Sequence, residues 1–241
     1  MALTKTLYTA LSKSFKYDSV KAVKRNIRPL KHKLLGTHGV YKAIELTQTL
    51  EKNKGKDVLT VFDIGAADGE YALTFAESFP KATLYCFEPQ NGSRKKLAKK
   101  MSPYGSRTHL ERNGFYNESK EISLHVDLDH PDGSTLLDEQ GIKREGSETI
   151  QVLRLDDFVK ERNITHIEFM KIDVEGVEKE VVEGGMETLM NKVDNLFIEI
   201  SLARKGRYSR NYIDILDMLH RAGFALVDIS DTENFFFSKL V

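Results

Sequence analysis

The chain has 241 residues, of which 40% are hydrophobic and 30% charged, with no net charge and one cysteine, Cys86. That length suits one large domain with a short appendage, and the composition excludes a disordered or membrane-embedded chain. A lone thiol excludes an internal disulfide and a cysteine-rich metal site, and the neutral balance gives no general attraction for nucleic acid.

Residues 1–55 read as helical. Leu3, Leu7, Leu11 and Phe15 recur at helical spacing and leave lysines on the other faces. A second stripe, Val20, Val23 and Ile27, runs up to Pro29; a third, Val40, Tyr41, Ile44 and Leu50, ends at Asn53-Lys-Gly55. Residues 1–35 hold nine lysines and arginines against Asp18 alone, a net +8, so the rest of the chain carries −8. A helix face buried against the protein is favoured for this segment, over a lid or dimer arm and over a peripheral contact with anionic lipid. Neither a spanning run of about 18 apolar residues nor a signal peptide is visible, so the expected location is cytoplasmic.

From Asp57 the texture changes to strand–helix alternation. Strands are expected at Val58–Ile64, Thr83–Phe87, Thr108–Glu111, Ile122–Asp127, Gln151–Leu155, Ile167–Ile172, Leu196–Ile200, Ala225–Ile229 and Phe235–Phe237. Helices are expected at Tyr71–Phe79, around Arg94–Lys100, and at Asp157–Arg162, Val177–Met190 and Tyr212–Ala222. Apolar strands alternating with helices predict an α/β, Rossmann-like fold, a mostly parallel sheet with helices on both faces. The expected division is a helical extension over 1–55 and a catalytic domain over 56–241. The polar stretch Asp129–Ser147, with His130, reads as a functional loop.

Val61-Phe-Asp-Ile-Gly-Ala-Ala-Asp-Gly-Glu-Tyr71 is the strongest local signal: a buried strand, a turn through Gly65 and Gly69, then a helix. Ligands of open α/β sheets bind outside the carboxyl ends of the strands. The spacing is G-x-x-x-G, not the G-x-G-x-x-G of pyrophosphate binders. S-adenosylmethionine brings an ammonium, a sulfonium and a ribose diol, which suit Asp63 and Asp68, with Gly65 and Gly69 admitting a close backbone approach. Ala66 and Tyr71 complete this turn. Glu88 ends the second strand 19 residues after Gly69, near the spacing at which an acid takes ribose hydroxyls. Asn113 and Gly114, after the third strand, are placed to meet the adenine. Taken singly, Asp63 or Asp68 is equally a helix N-cap, and Glu88 a solvated strand end.

Asp63-Ile-Gly-Ala-Ala-Asp-Gly-Glu-Tyr71, Phe87-Glu-Pro89 and Lys171-Ile-Asp-Val-Glu-Gly-Val-Glu178 together resemble the FkbM family of S-adenosylmethionine-dependent methyltransferases. Arg154-Leu-Asp-Asp-Phe158 and Glu183-Gly-Gly185 resemble that family's flanking segments, and the likeness runs from about Val58 to Ile200. It implies O-methylation of a hydroxyl on a sugar, glycan or secondary metabolite. Asn113-Gly-Phe-Tyr-Asn117 departs from the family's usual small residues and Asp at that place.

Asp173, at the end of the strand Ile167–Ile172, and Glu175 are the candidate catalytic carboxylates, since an alcohol attacks well only as its proton is removed. With Glu199 they also make a set of hard oxygen ligands for a divalent metal, while by themselves Asp173 and Glu175 read equally as helix caps. His166 begins its strand, at the opposite edge. Asp156 and Asp157 read as helix caps, and Arg204, Lys205, Arg207 and Arg210 as a basic loop or an anion contact. Two alternatives stay open: a non-catalytic binding module, and a methyltransferase for another acceptor such as nucleic acid. No Asn/Asp-Pro-Pro-Tyr/Phe segment of amino-methylating enzymes is present, so nucleic acid is not expected as a partner.

Overall fold

The computed structural model describes residues 38–126, 146–200, 211–230 and 233–239, and the chain divides into two compact units, Met1–Tyr41 and Lys42–Val241. The expected amphipathic segment before residue 38, His130 with its loop, and Arg204 to Arg210 lie outside the described residues. In chain order the elements are α1 (His38–Asn53), β1 (Thr60–Ile64), α2 (Glu70–Ser78), β2 (Thr83–Phe87), α3 (Asn91–Met101) and β3 (Thr108–Glu111). There follow β4 (Gly114–Phe115), β5 (Lys120–Val126), β6 (Gly146–Leu153), α4 (Leu155–Glu161), β7 (Ile167–Ile172), α5 (Glu178–Gly184) and α6 (Met186–Lys192). The last are β8 (Val193–Glu199), α7 (Asn211–Arg221), β9 (Phe224–Ile229) and β10 (Asn234–Lys239).

The main sheet has seven strands in the order β3-β2-β1-β7-β8-β10-β9. It is parallel from β3 to β8, and β10 runs antiparallel between β8 and β9. This is the expected Rossmann-like architecture. The order reverses between β1 and β7, which makes their carboxyl ends the switch point at which such sheets bind ligands.

Side chains alternate between the faces of a strand, so each face has its own chemistry. Phe62, Ile64, Met170, Ile172, Leu196 and Ile198 belong to one apolar core with α4 to α7. Phe158 of α4 meets Phe62 and Phe87 edge-on in that core. On the other face, Phe75 of α2 and Phe79 just after it pack against Phe169. That face also carries a polar seam. Asn195 donates to Glu51 of α1 (3.0 Å) and to the Glu168 carbonyl (2.8 Å), and accepts from Ser238 (2.9 Å).

The strands expected around Ile122 and Gln151 form, but not in the main sheet. β5 and β6 pair antiparallel and, with β4, make a separate three-stranded sheet over Leu124, Ile150 and Val152. Their apolar residues alternate, as one-sided strands require, whereas all six positions of β7 are buried. The single helix expected over Val177–Met190 is two, α5 and α6, parted at Gly185. A Cβ on Gly184 would lie 2.1 Å from the Tyr116 carbonyl oxygen, so the junction is pressed against the chain after β4. Asp156 does cap a helix, but a distant one: it accepts from the Thr188 (2.8 Å) and Glu187 (3.4 Å) N–H groups of α6. Among the described residues no helix is long and apolar enough to cross a membrane.

Candidate active site

β1 delivers its chain into the turn Gly65–Gly69 at the switch point. Gly65 and Ala66 donate to the Phe87 carbonyl at the end of β2 (3.1 and 3.0 Å), and Asp173 donates to the Ile64 carbonyl (3.1 Å). The turn is thus clamped between β2 and β7. Gly65 has φ +79°, and a Cβ there would sit 1.8 Å from the Asp173 carbonyl oxygen. The space that sequence reasoning assigned to an approaching ligand is filled by the β7 chain. Gly69 opens α2 with φ +87° and no side-chain cap, so neither Asp63 nor Asp68 is the N-cap of that helix. Asp68 instead pairs with Lys100 of α3 at 3.0 Å.

Glu88 is buried just past β2. Its two oxygens accept from the N–H groups of Ala67 and Gln90, each at 2.8 Å. Burial outweighs these bonds and lifts its carboxyl to about 7. A carboxylate offers about four lone-pair directions, so capacity for two further donors remains. Asn113, also buried, stands past β3, and Gly114 enters β4, packed against Val152.

The feature missing from the sequence reading is Lys171. It lies in fully buried β7, yet its ammonium donates to the Gly65 carbonyl (2.9 Å) and stands 3.2 Å from Asp173 and 3.5 Å from Asp63. The Tyr71 ring covers it at 5.0 Å. Burial pulls this ammonium down, but Asp173 and Asp63 more than offset the pull and keep it charged. Asp63 is itself buried, with no hydrogen bond to either oxygen, and burial raises it to about 6 against the pull of Lys171. The signal was a lysine between Met170 and Ile172 in the strand Ile167–Ile172. Its partner Asp63 lies in register on β1, which only the sheet order reveals.

Asp173 follows β7, part exposed. Burial acts to raise its carboxyl, but Lys171 and a hydrogen bond from Glu199 win and hold it below the usual range. Glu199, at the end of β8, is pushed up to about 9 by burial and by Asp173, so it carries the proton of that pair at neutral pH. The helix-cap reading of Asp173 and Glu175 does not hold. α5 begins at Val177 without a side-chain cap, and Glu178 takes the Val174 and Gly176 N–H groups, at 3.3 and 2.9 Å. Glu175 is exposed, with φ +56°.

Asp173, Glu175 and Glu199 can bring one oxygen each within 4.8 Å of one another. The Lys171 ammonium already beside Asp173, 3.2 Å away, works against a dication on that carboxylate. His166 pairs with Asp194 at 2.9 Å where β7 and β8 begin, far along the strands from this edge.

Residues 63–226 match the methyltransferase FkbM domain. The chain belongs to the FkbM methyltransferase family. It is 31% identical over 142 residues to the 2-O-methyltransferase NoeI of Sinorhizobium fredii, covering 54% of this chain and 58% of that protein. It is 27% identical over 151 residues to the hexuronic acid methyltransferase AglP of Haloferax volcanii, covering 63% of this chain and 59% of that protein. The chain therefore spans somewhat more than half the length of these relatives. A crystal structure of methyltransferase FkbM from Methylobacillus flagellatus shares the fold, with a TM-score of 0.52 at 16% identity over 76% of this chain and 44% of that one. The FkbM match begins at Asp63 and contains the Gly65 turn, Glu88, Lys171, Asp173 and Glu199.

Proposed function

We propose that this FkbM-family chain is an S-adenosylmethionine-dependent O-methyltransferase acting on a hydroxyl of a sugar, glycan or secondary metabolite. The observation that carries the reading is the contact between Asp173 and the Gly65 turn: an ionised carboxylate stands where the cofactor loop leaves β1. Three strand ends in order offer groups that fit the cofactor, with Asp63 and the Gly65–Gly69 turn on β1, Glu88 on β2 and Asn113 after β3. Glu88 in particular is a buried carboxylate with lone pairs left for a ribose diol. When bound, the cofactor supplies an electrophilic methyl on a sulfonium and departs as a neutral thioether.

Asp173 accepts the acceptor's hydroxyl proton as the new O–C bond forms. A low carboxyl pKa is no handicap, because the alkylating hydroxyl becomes strongly acidic; what matters is that the carboxylate is ionised at neutral pH and correctly placed. Glu199 keeps its own proton and aims it at Asp173, and exposed Glu175 is the second candidate at the mouth. An oxygen acceptor agrees with the name of NoeI, a 2-O-methyltransferase, and a sugar substrate with that of AglP, a hexuronic acid methyltransferase.

The test is mass gain from methyl-labelled cofactor across a panel of glycans and hydroxylated metabolites. Asp173→Asn should lower turnover by about 10²–10⁴-fold while cofactor affinity holds, since the amide keeps the shape but takes no proton. Wild-type turnover in that variant would remove Asp173 from the chemistry. Cofactor binding with no methylation of any acceptor would favour the binding-module alternative.

A further inference from the structure

We infer that Lys171 is a positioning residue, a buried cation that fixes the Asp173 carboxylate and the Gly65 turn in one arrangement. This rests on the reading of Asp173 as the proton acceptor. A lysine is almost never fully buried unless its charge is paired, and Lys171 is 1% exposed. Its ammonium has three donors. One goes to the Gly65 carbonyl at 2.9 Å, and the Asp173 and Asp63 carboxylates are ion-paired with the ammonium at 3.2 and 3.5 Å. The hydrogen bond to Gly65 and the shorter ion pair to Asp173 join the end of β1 to the residue after β7, and Asp63 adds to the balance of charge.

The groups facing this centre come from four elements and one turn. Asp63 faces it from β1, Cys86 from β2 in register with Asp63, Tyr71 from α2, and Glu199 from β8; Glu175 and Glu178 flank it in the turn after β7. Buried Glu88 also feels Lys171. All of these are acids, so among the described residues around it Lys171 is the cation that holds Asp173 ionised. Cys86 and Tyr71 stay neutral, as burial raises both.

The deciding measurement is a ¹³C-carboxyl titration of aspartate-labelled full-length protein without cofactor, with Asp173→Asn assigning the resonance. In wild type the Asp173 carboxyl should titrate below the ordinary aspartate range. In Lys171→Met it should titrate about 1–3 pH units higher. The same variant should lose about a hundredfold in kcat with little change in acceptor KM, and its activity should fall on the acid side at a higher pH than in wild type. Asp63→Asn disturbs the same cluster but leaves Lys171 on Asp173. It should lower the melting temperature without raising the Asp173 titration.

An unmoved Asp173 resonance in Lys171→Met overturns the inference, as does an equal rise in Asp63→Asn. Should Lys171→Met not fold, the wild-type titration decides: an Asp173 carboxyl at or above its ordinary value refutes the role. If Asp173→Asn retains turnover, the proton-acceptor reading falls while the titration still reports on Lys171. If that variant is inactive and the titration fails, only the role of Lys171 falls.

Discussion

Gly65→Ala is the most direct probe of how the site is built. The new Cβ would lie 1.8 Å from the Asp173 carbonyl oxygen and 2.9 Å from its carbon, both main-chain atoms that cannot swing aside. Contact at ordinary van der Waals distance requires the end of β1 and the chain after β7 to part by more than about 1 Å. Overpacking of this kind costs about 1–3 kcal/mol. The left-handed φ of +79° adds about 1–2 kcal/mol for a residue with a Cβ. The sum, about 2–5 kcal/mol, is a large part of a typical stability of about 5–15 kcal/mol. For a chain of this size it predicts a melting temperature lower by about 5–15 °C. Because the displaced chain carries Asp173, turnover should also fall by about 10²-fold. Gly55→Ala is the control: its φ is +71° but nothing lies within 4 Å of its Cβ, so it should bear the backbone cost alone and keep full turnover. Calorimetric melting and steady-state kinetics on both variants give the comparison. If the two melt alike and Gly65→Ala turns over normally, the clamp between β1 and β7 does not exist.

Glu88 titrates near 7 when free and must be ionised to accept two hydroxyl donors besides its two backbone bonds, so cofactor affinity should be full above pH 7. Below that value it should weaken by up to about tenfold per pH unit, and calorimetry on Glu88→Gln should show weaker, pH-independent binding. Asn195→Ala should cost about 3 kcal/mol or more in urea unfolding, since it strips partners from Glu51, the Glu168 carbonyl and Ser238 in a fully buried seam. Turnover per folded molecule should be unchanged, as the seam lies toward the opposite end of the sheet. Removing residues 1–35 should lower the melting temperature if their apolar stripe packs on the protein. Unchanged melting together with lost pelleting on anionic vesicles would assign them to lipid instead.

What could be read from the sequence was what depends on local order. Gly65, Glu88, Asn113 and Asp173 each follow a strand, and in a parallel sheet every such end falls on the same edge. The helix stop at Asn53 and Gly55 and the strands Thr83–Phe87, Thr108–Glu111 and Ile167–Ile172 needed nothing more distant. What escaped were relations across the chain. Lys171 looked like one letter of a motif because its partner is brought over by the pairing of β1 with β7. Asp156 was legible as a cap, but the helix it caps starts thirty residues on. The β5–β6 sheet had a signal in the alternation of Ile122 and Leu124, and of Ile150 and Val152, that set it apart from β7, which is buried at every position.

The sheet order explains why the Gly65 turn and Asp173, the proposed cofactor loop and proton acceptor, should behave as one unit. Had β7 been placed at an edge, Gly65 and Asp173 would each answer to separate neighbours. Instead the reversal of winding sets β1 beside β7, and three contacts follow from that single pairing. Asp173 donates to the Ile64 carbonyl, Lys171 donates to the Gly65 carbonyl, and the missing Cβ of Gly65 admits the Asp173 carbonyl. A shift in the turn therefore moves the carboxylate directly, without any intervening side chain that could absorb it. The buried charges tighten the link further, because Lys171 cannot move away from the fully buried Asp63 without leaving that carboxyl unpaired out of water. On this geometry, the proposed cofactor binding at the Gly65 turn and the proposed proton transfer at Asp173 would share one rigid support, as methyl transfer over a short, in-line distance demands.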